Sequence, residues 1–183
     1  WYNPNVTDYE FNKTLAEELL DNDYPRGPDG WRFSFVIKAA CSTAVVWKAN
    51  ALYMIRDDLR SVGINATIEF NRPIEEGESG DFDDAFFAGW IYDALGPDDL
   101  FNMFHSNAYG NWGRYSNATL DTLLEEGRRS FNETERKIDF DRAQEIIVQD
   151  LPRIFVYHEH SAVAYNNDFH GRISTPPVNL RFT

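Results

Sequence analysis

The chain has 183 residues, of which 43% are hydrophobic and 15% aromatic, enough for one good core or at most two small ones, so one globular domain is expected. A formal net charge of −13 and a pI near 4.6 argue against nucleic acid, whose phosphates would be repelled, and against an anionic membrane surface. The sequence carries no initiating methionine, no basic leader and no run long enough to span a bilayer, and reads as a mature piece or an excised fragment.

In chain order, residues 1–6 form an extended aromatic lead-in. Thr7-Asp8-Tyr9-Glu10 is a capping box, opening a helix with the apolar stripe Phe11, Leu15, Ala16, Leu19 and Leu20. Two prolines and two glycines make 24–30 a loop. Residues 32–40 read as a strand with Phe33, Phe35 and Ile37 on one face and Val36 on the other. A long helix is expected over 43–62, where Val45, Ala49, Leu52, Ile55, Leu59 and Val62 recur at helical spacing until Gly63. A second strand at 65–71 completes a right-handed βαβ unit, hence a parallel pair. Residues 72–81 read as a solvated connection or short irregular helix.

Residues 85–90 are short, apolar and aromatic, as a strand covered on both faces should be, and Gly89 admits a close backbone or ligand. Gly96 and Pro97 reset the chain, Pro97 suiting the first position of a helix over 98–104 with Asp98 and Asp99 in its first turn. Asp93 therefore sits in a strand-to-helix loop, where function concentrates. Residues 105–112 form a polar, aromatic loop. Asn117 caps a helix carrying Leu120, Leu123, Leu124 and Gly127, and Asn132 with Glu135 caps one carrying Ile138, Ala143, Ile146 and Ile147. Pro152 stops that helix, and 154–157 and 162–165 read as a closing pair of strands before a crossover with Gly171 and Pro176-Pro177.

Gly89-Trp90-x-x-Asp93-x-x-x-Pro97-Asp98 is followed by Gly113-Arg114-Tyr115-Ser116-Asn117, Leu120-Asp121-x-Leu123-Leu124, Arg136-x-x-x-Phe140-x-x-Ala143-Gln144-x-Ile146 and Asp150-x-Pro152-x-Ile154. This order of motifs resembles the C-terminal lobe of the family 5 extracellular solute-binding proteins, the dipeptide and oligopeptide receptors of ABC importers. The resemblance implies an α/β lobe of periplasmic-binding-protein type II, with a mixed sheet, a βαβ unit and flanking helices. It implies one lobe over 1–183 with hinge or crossover segments at 1–6 and 171–183, closing with an N-terminal lobe of the same receptor on a peptide or other small polar solute. It further implies delivery to an ABC permease, an extracytoplasmic location in the periplasm or on the outer face of the cell membrane, no cofactor and no chemistry.

In the resembled receptors the aspartate matching Asp93 pairs with the ligand's terminal ammonium; the plain alternative is an aspartate satisfying backbone amides in a tight turn. Phe87, Gly89, Trp90, Ile91 and Tyr92 would line the same cleft, or else pack into the core, and alternation places Trp90 and Tyr92 on one side. Some of these receptors carry an arginine where Phe87 stands, so a clamp on a peptide carboxylate does not follow.

Other chemistry is weakly marked. His158-Glu159-His160 puts two imidazoles on one strand face, but two ligands do not make a metal site, and a solvated strand end is the expectation. No phosphate loop, nucleophile elbow or HExxH motif occurs, and the plentiful carboxylates leave a secreted carboxylate-dependent hydrolase as the alternative. Cys41 is the only cysteine and excludes an internal disulfide. Asn-x-Ser/Thr triplets begin at Asn5, Asn12, Asn65, Asn117 and Asn132, where chance would give roughly one or two, which leans extracytoplasmic although helix caps make such triplets too.

Lys13, Lys38, Lys48 and Lys137 are the only lysines among 17 basic residues. Few lysines and many carboxylates read either as a high-salt adaptation or as an ordinary acidic surface kept soluble by its charge. The two differ measurably. Under the first, the melting temperature climbs steadily as sodium chloride rises from low to molar concentration, because the salt screens like charges; a flat or falling profile selects the second.

Overall fold

The computed structural model of the chain describes residues 1–80, 82, 84–90 and 97–157. Its backbone divides into two units, Trp1–Arg153 and Ile154–Thr183. All helices and strands among the described residues lie in the first: α1 (Lys13–Asp23), β1 (Phe33–Ala39), α2 (Val46–Ser61), β2 (Ile64–Glu69), α3 (Ile74–Ser79), β3 (Ala85–Phe87), α4 (Asp99–Phe104), α5 (Ala118–Arg129) and α6 (Glu133–Asp150). Of the second unit, residues 154–157 are described and form no strand; the expected partner at 162–165 lies outside the described residues.

The expected βαβ unit is present. β1 pairs in parallel with β2, Phe33 opposite Ile64 and Ile37 opposite Ile68. It also pairs in parallel with β3, Ile37 opposite Ala85 and Ala39 opposite Phe87, giving the order β2-β1-β3. The described sheet is thus parallel throughout rather than mixed. A parallel sheet needs both faces covered. On one face Ile37 and Ala39 pack with Leu52 of α2, joined by Phe35, Ile55, Leu59, Ile68, Ala85 and Phe87. On the other, Lys38 reaches Glu76 of α3 at 3.8 Å and Phe86 meets Trp112 edge to face at 6.2 Å.

Helix limits differ from the expected ones for local reasons. α1 starts at Asn12, whose Oδ1 accepts from the Leu15 amide at 2.9 Å, and not at Thr7, because an extended Asn backbone with its oxygen on the third helical amide is the stronger cap. α2 starts at Val46 rather than Thr43, since Ser42 accepts from the Ala44 and Val45 amides and holds them in a turn. Pro97 precedes the Asp98 cap of α4 instead of occupying its first position. Residues 1–6 form no strand; they lie on α6, with Trp1 edge-on to Phe140 at 6.0 Å and Asn3 1% exposed.

The second hydrophobic cluster is helical: Met103 and Phe104 of α4, Leu120, Leu123 and Leu124 of α5, and Phe140, Ala143 and Ile147 of α6. Asn117 and Asn132 cap α5 and α6 as expected. Phe140, not Ile138, leads the buried stripe of α6: Phe140, Ala143 and Ile147 share one face, and Ile138, two residues earlier and about 200° round the helix, is half exposed. α1 buries no residue, and its expected stripe shows Phe11, Leu15 and Leu19 to solvent.

Two consequences can be measured. A Cβ at Gly127 would lie 2.9 Å from the fully buried Phe140 ring. Gly127→Ala gains about 1 kcal/mol of helix propensity but overpacks a closed site at a cost of about 1–3 kcal/mol, so urea denaturation should show net destabilisation. Combining it with Phe140→Leu should cost less than the sum of the single changes.

The end of α6 also holds the start of α5. The Tyr115 hydroxyl donates to Asp150 Oδ2 at 2.5 Å, and Asn117 Nδ2 donates to the same oxygen at 3.1 Å. Burial, and then the bond to Asp150, push the Tyr115 phenol up to about 12. The folded state therefore keeps this proton more tightly than the unfolded chain, where a phenol titrates near pH 10. The stabilisation is complete below about pH 10 and fades as pH rises toward about 12. The stability gap between wild type and Tyr115→Phe should shrink across that window, with the missing tyrosinate signal visible in the absorbance titration.

Candidate ligand-binding site

Because β1 lies between β2 and β3, the chain crosses the sheet on leaving β2, and the carboxyl ends of β1 and β3 come to lie side by side. The Ala40 amide donates to the Phe87 carbonyl at 2.9 Å. Ligands of open α/β sheets collect at such carboxyl edges. The turn marked by the sequence leaves from this point: Ala88, Gly89 and Trp90 follow β3, and Pro97 and Asp98 lead into α4.

The named residues separate. Phe87 packs into the cluster shared by the sheet and α2. Gly89 is exposed, with open space where a side chain would stand. Trp90 packs against the helical cluster, its ring 5.7 Å from Tyr109 and 6.1 Å from Trp112, in contact with Gly110, where any side chain would collide with the indole. The Arg153 guanidinium lies 5.8 Å from Trp90 and 5.7 Å from Phe104 and donates to the Gly110 carbonyl at 3.0 Å. Among the described residues, the buried indole nitrogens of Trp90 and Trp112 have no hydrogen-bond partner. Ile91, Tyr92 and Asp93 lie outside the described residues, as do His158, Glu159 and His160.

Tyr109 also lines an open recess of about 620 Å³ with Glu78, Ser106, Asn107, Asn111 and Arg114. Its wall is the polar, aromatic loop expected at 105–112, closed by its own hydrogen bonds. Asn111, 6% exposed, donates to the carbonyls of Tyr115 at 2.7 Å and His105 at 3.3 Å, and accepts from the Tyr115 amide at 3.0 Å. His105 Nδ1 accepts from the Asn107 amide at 3.2 Å, which places the ring proton on Nε2, 3.3 Å from Glu125 Oε1. Asp121 takes the Ser106 amide at 2.8 Å. On the far side of α4, Phe101 is stacked on His105 at 4.3 Å and faces Arg128 at 4.1 Å, while Arg128 pairs with the capping Asp98 at 2.6 Å. Both ends of the turn are therefore anchored, one by Trp90 and the other by Asp98 and Phe101.

The site offers aromatic surfaces, an open glycine backbone and a polar recess, suited to holding a solute. Among the described residues no group of three or more His, Cys, Asp or Glu could hold a metal ion, and no helix is long and apolar enough to cross a membrane.

No family model matches the sequence. It is 23% identical to di/tripeptide-binding protein 4 of Pseudomonas aeruginosa over 99% of this chain and 34% of that protein. It is 28% identical to the probable D,D-dipeptide-binding periplasmic protein DdpA of Escherichia coli over 56% of this chain and 20% of that one. The chain thus spans about a third of the first of these relatives and a fifth of the second. Among solved structures it superposes on the ABC transporter-associated periplasmic binding protein DppA of Helicobacter pylori, in complex with the peptide STSA, with a TM-score of 0.69 and 28% identity, covering 82% of this chain and 30% of that one. The fold is that of the periplasmic binding proteins, and the relatives and structural neighbours that match most of this chain include family 5 peptide- and dipeptide-binding proteins of ABC importers, together with heme-binding protein A of Haemophilus influenzae, 25% identical over 96% of this chain and 32% of that one.

Proposed function

We propose that the chain is one lobe, the C-terminal one, of an extracytoplasmic solute receptor that captures a peptide or other small polar solute and hands it to an ABC permease without chemistry of its own. The carrying observation is the match of 99% of this chain to a third of a di/tripeptide-binding protein. Two features support it: the turn after β3 at the carboxyl edge of the sheet, and the open apolar face of α1, which an N-terminal lobe would cover. Residues 1–6 and 171–183 are then the hinge segments. One lobe encloses one side of a solute, and tight pockets enclose most of it, so the single lobe binds peptides weakly and the closed pair binds them well.

Within this reading Asp93 is the counter-charge for a ligand ammonium drawn into a closing, water-poor cleft, where an unpaired cation is costly. Gly89, Trp90, Ile91 and Tyr92 belong to the same stretch and line the same cleft in this reading. Asp93→Asn keeps the shape and removes the charge. In the full receptor it should cost about 2–5 kcal/mol of affinity, chiefly as faster release. The measurement is titration of both proteins with a free-amine peptide and its N-acetylated form. Wild type should prefer the free amine and the variant lose most of that preference; equal affinities would reduce Asp93 to a turn residue. Release of cleaved product during these titrations would refute the receptor reading in favour of the hydrolase.

A further inference from the structure

The five Asn-x-Thr triplets have unequal surroundings. Three are helix starts: the Asn12, Asn117 and Asn132 side chains accept from the first-turn amides of α1, α5 and α6, and Thr14, Thr119 and Thr134 are already helical. A fourth lies in β2, where Asn65 Nδ2 donates to Ser34 Oγ at 3.1 Å and Thr67 is paired opposite Val36. Asn5-Val6-Thr7 alone lies outside helices and strands.

The structure around it is specific. Asn3 is 1% exposed. Its amide nitrogens fasten it to α6, the backbone N donating to Gln144 Oε1 at 3.1 Å and Nδ2 to the Asp141 carbonyl at 3.1 Å and Glu145 Oε1 at 3.2 Å. Its Oδ1 accepts from the Asn5 backbone at 2.9 Å. The chain meets α6 again at Tyr9, whose hydroxyl donates to the Val148 carbonyl at 3.4 Å. Between these points Asn5 and Thr7 are exposed, and among the described residues neither the Asn5 carboxamide nor the Thr7 hydroxyl has a hydrogen-bond partner. A glycan-transferring enzyme must take such a triplet in extended form, with the amide nitrogen and the third residue's hydroxyl both free. Helix-start triplets must unwind a first turn to satisfy that requirement and the β2 triplet must leave the sheet, whereas Asn5-Val6-Thr7 has only to open a surface turn held by the bond from the Asn5 backbone to Asn3.

We propose that Asn5 is an N-linked glycosylation site, modified outside the cytoplasm by an oligosaccharyltransferase using a lipid-diphosphate-linked oligosaccharide. This rests on the extracytoplasmic location in the receptor reading. Asn5 Nδ2 attacks the anomeric carbon of the first sugar and loses one proton. The bond from that carbon to the diphosphate oxygen breaks, and the lipid diphosphate leaves with the electron pair; nothing is oxidised or reduced. The glycan projects from a turn that α6 holds in place, so it disturbs neither hydrophobic cluster.

The test is mass spectrometry of the full receptor recovered from the outside of its own cells. The peptide containing Asn5 should carry the mass of an oligosaccharide, while peptides containing Asn65 and Asn117 are bare. Asn5→Gln and Thr7→Ala should each remove the added mass and Thr7→Ser should retain it, with unchanged melting temperature after glycan removal. Bare Asn5 on extracytoplasmic protein, or glycan on Asn12 or Asn132 in its place, overturns the assignment and leaves the receptor reading intact. Recovery from the cytoplasm alone overturns both.

Discussion

A small parallel sheet is stable only when both of its faces are covered, and this constraint ties the rest of the described unit together. One face is closed by α2 through Leu52 and its neighbours. The other is closed at its carboxyl end by an aromatic run: Phe86 from β3, Trp112 from the loop after α4, then Trp90, which packs on the helical cluster. Gly77 and Gly110 sit against Phe86 and Trp90 where no side chain would fit. The second face of the sheet is thus joined to the helical cluster through three aromatic rings, and the chain leaving β3 starts beside that contact.

Elements governed by local period were legible in the sequence. The β1–α2–β2 unit follows from two alternating segments separated by a long apolar stripe, and Leu120, Leu123, Leu124 and Gly127 of α5 are buried as their spacing implies. What escaped was governed by distant partners or by competition between equally good local signals. Asn3 looks like a loop residue until it meets Asp141, 138 positions away. Thr7 and Asn12 both carry cap chemistry, and the helix took the second. In α6 the charged and apolar residues are so interleaved that spacing points to Ile138, and only the packing of Phe140 with Leu120, Leu123 and Leu124 of α5 shows which face is buried. The candidate site divides in the same way: the sheet edge and the α4 start were legible, whereas the Asn111 and His105 network needs the folded loop. The strongest pointer, Asp93, lies outside the described residues.

The repeated Asn-x-Thr pattern shows why a motif count is ambiguous. Asn is favoured where a backbone must be extended while a side-chain oxygen meets the first amides of a helix, and Thr two places on is tolerated in a first turn. Three of the five triplets arise in that way, and a fourth from a cross-strand bond between Asn65 and Ser34. The excess over chance is therefore secondary-structure chemistry, and the one triplet left over is no more than chance supplies, so its case rests on its exposed surroundings and not on the count.

The arginine excess has a similar resolution. Arg32, its side chain 1% exposed, pairs with Asp21 at 2.6 Å and donates to the Val62 and Tyr24 carbonyls, fastening α1 and the loop after it to the sheet. Arg136 lies 5.1 Å over Trp1 and donates to the Gly127 carbonyl. Arg128 covers Phe101 and pairs with Asp98, and Arg153 covers Trp90 and Phe104. Each of these uses a flat, forked cation that stacks on a ring or bonds in several directions at once, which an ammonium on a flexible stem does poorly. Arginine at these positions is accounted for by the fold whatever the salt of the habitat. The salt argument then rests on the carboxylates alone. α1 makes the division plain: it buries no residue and is held by Arg32–Asp21 and Arg26–Glu17, so screening that relieves carboxylate repulsion elsewhere also weakens the pairs that keep this helix in place.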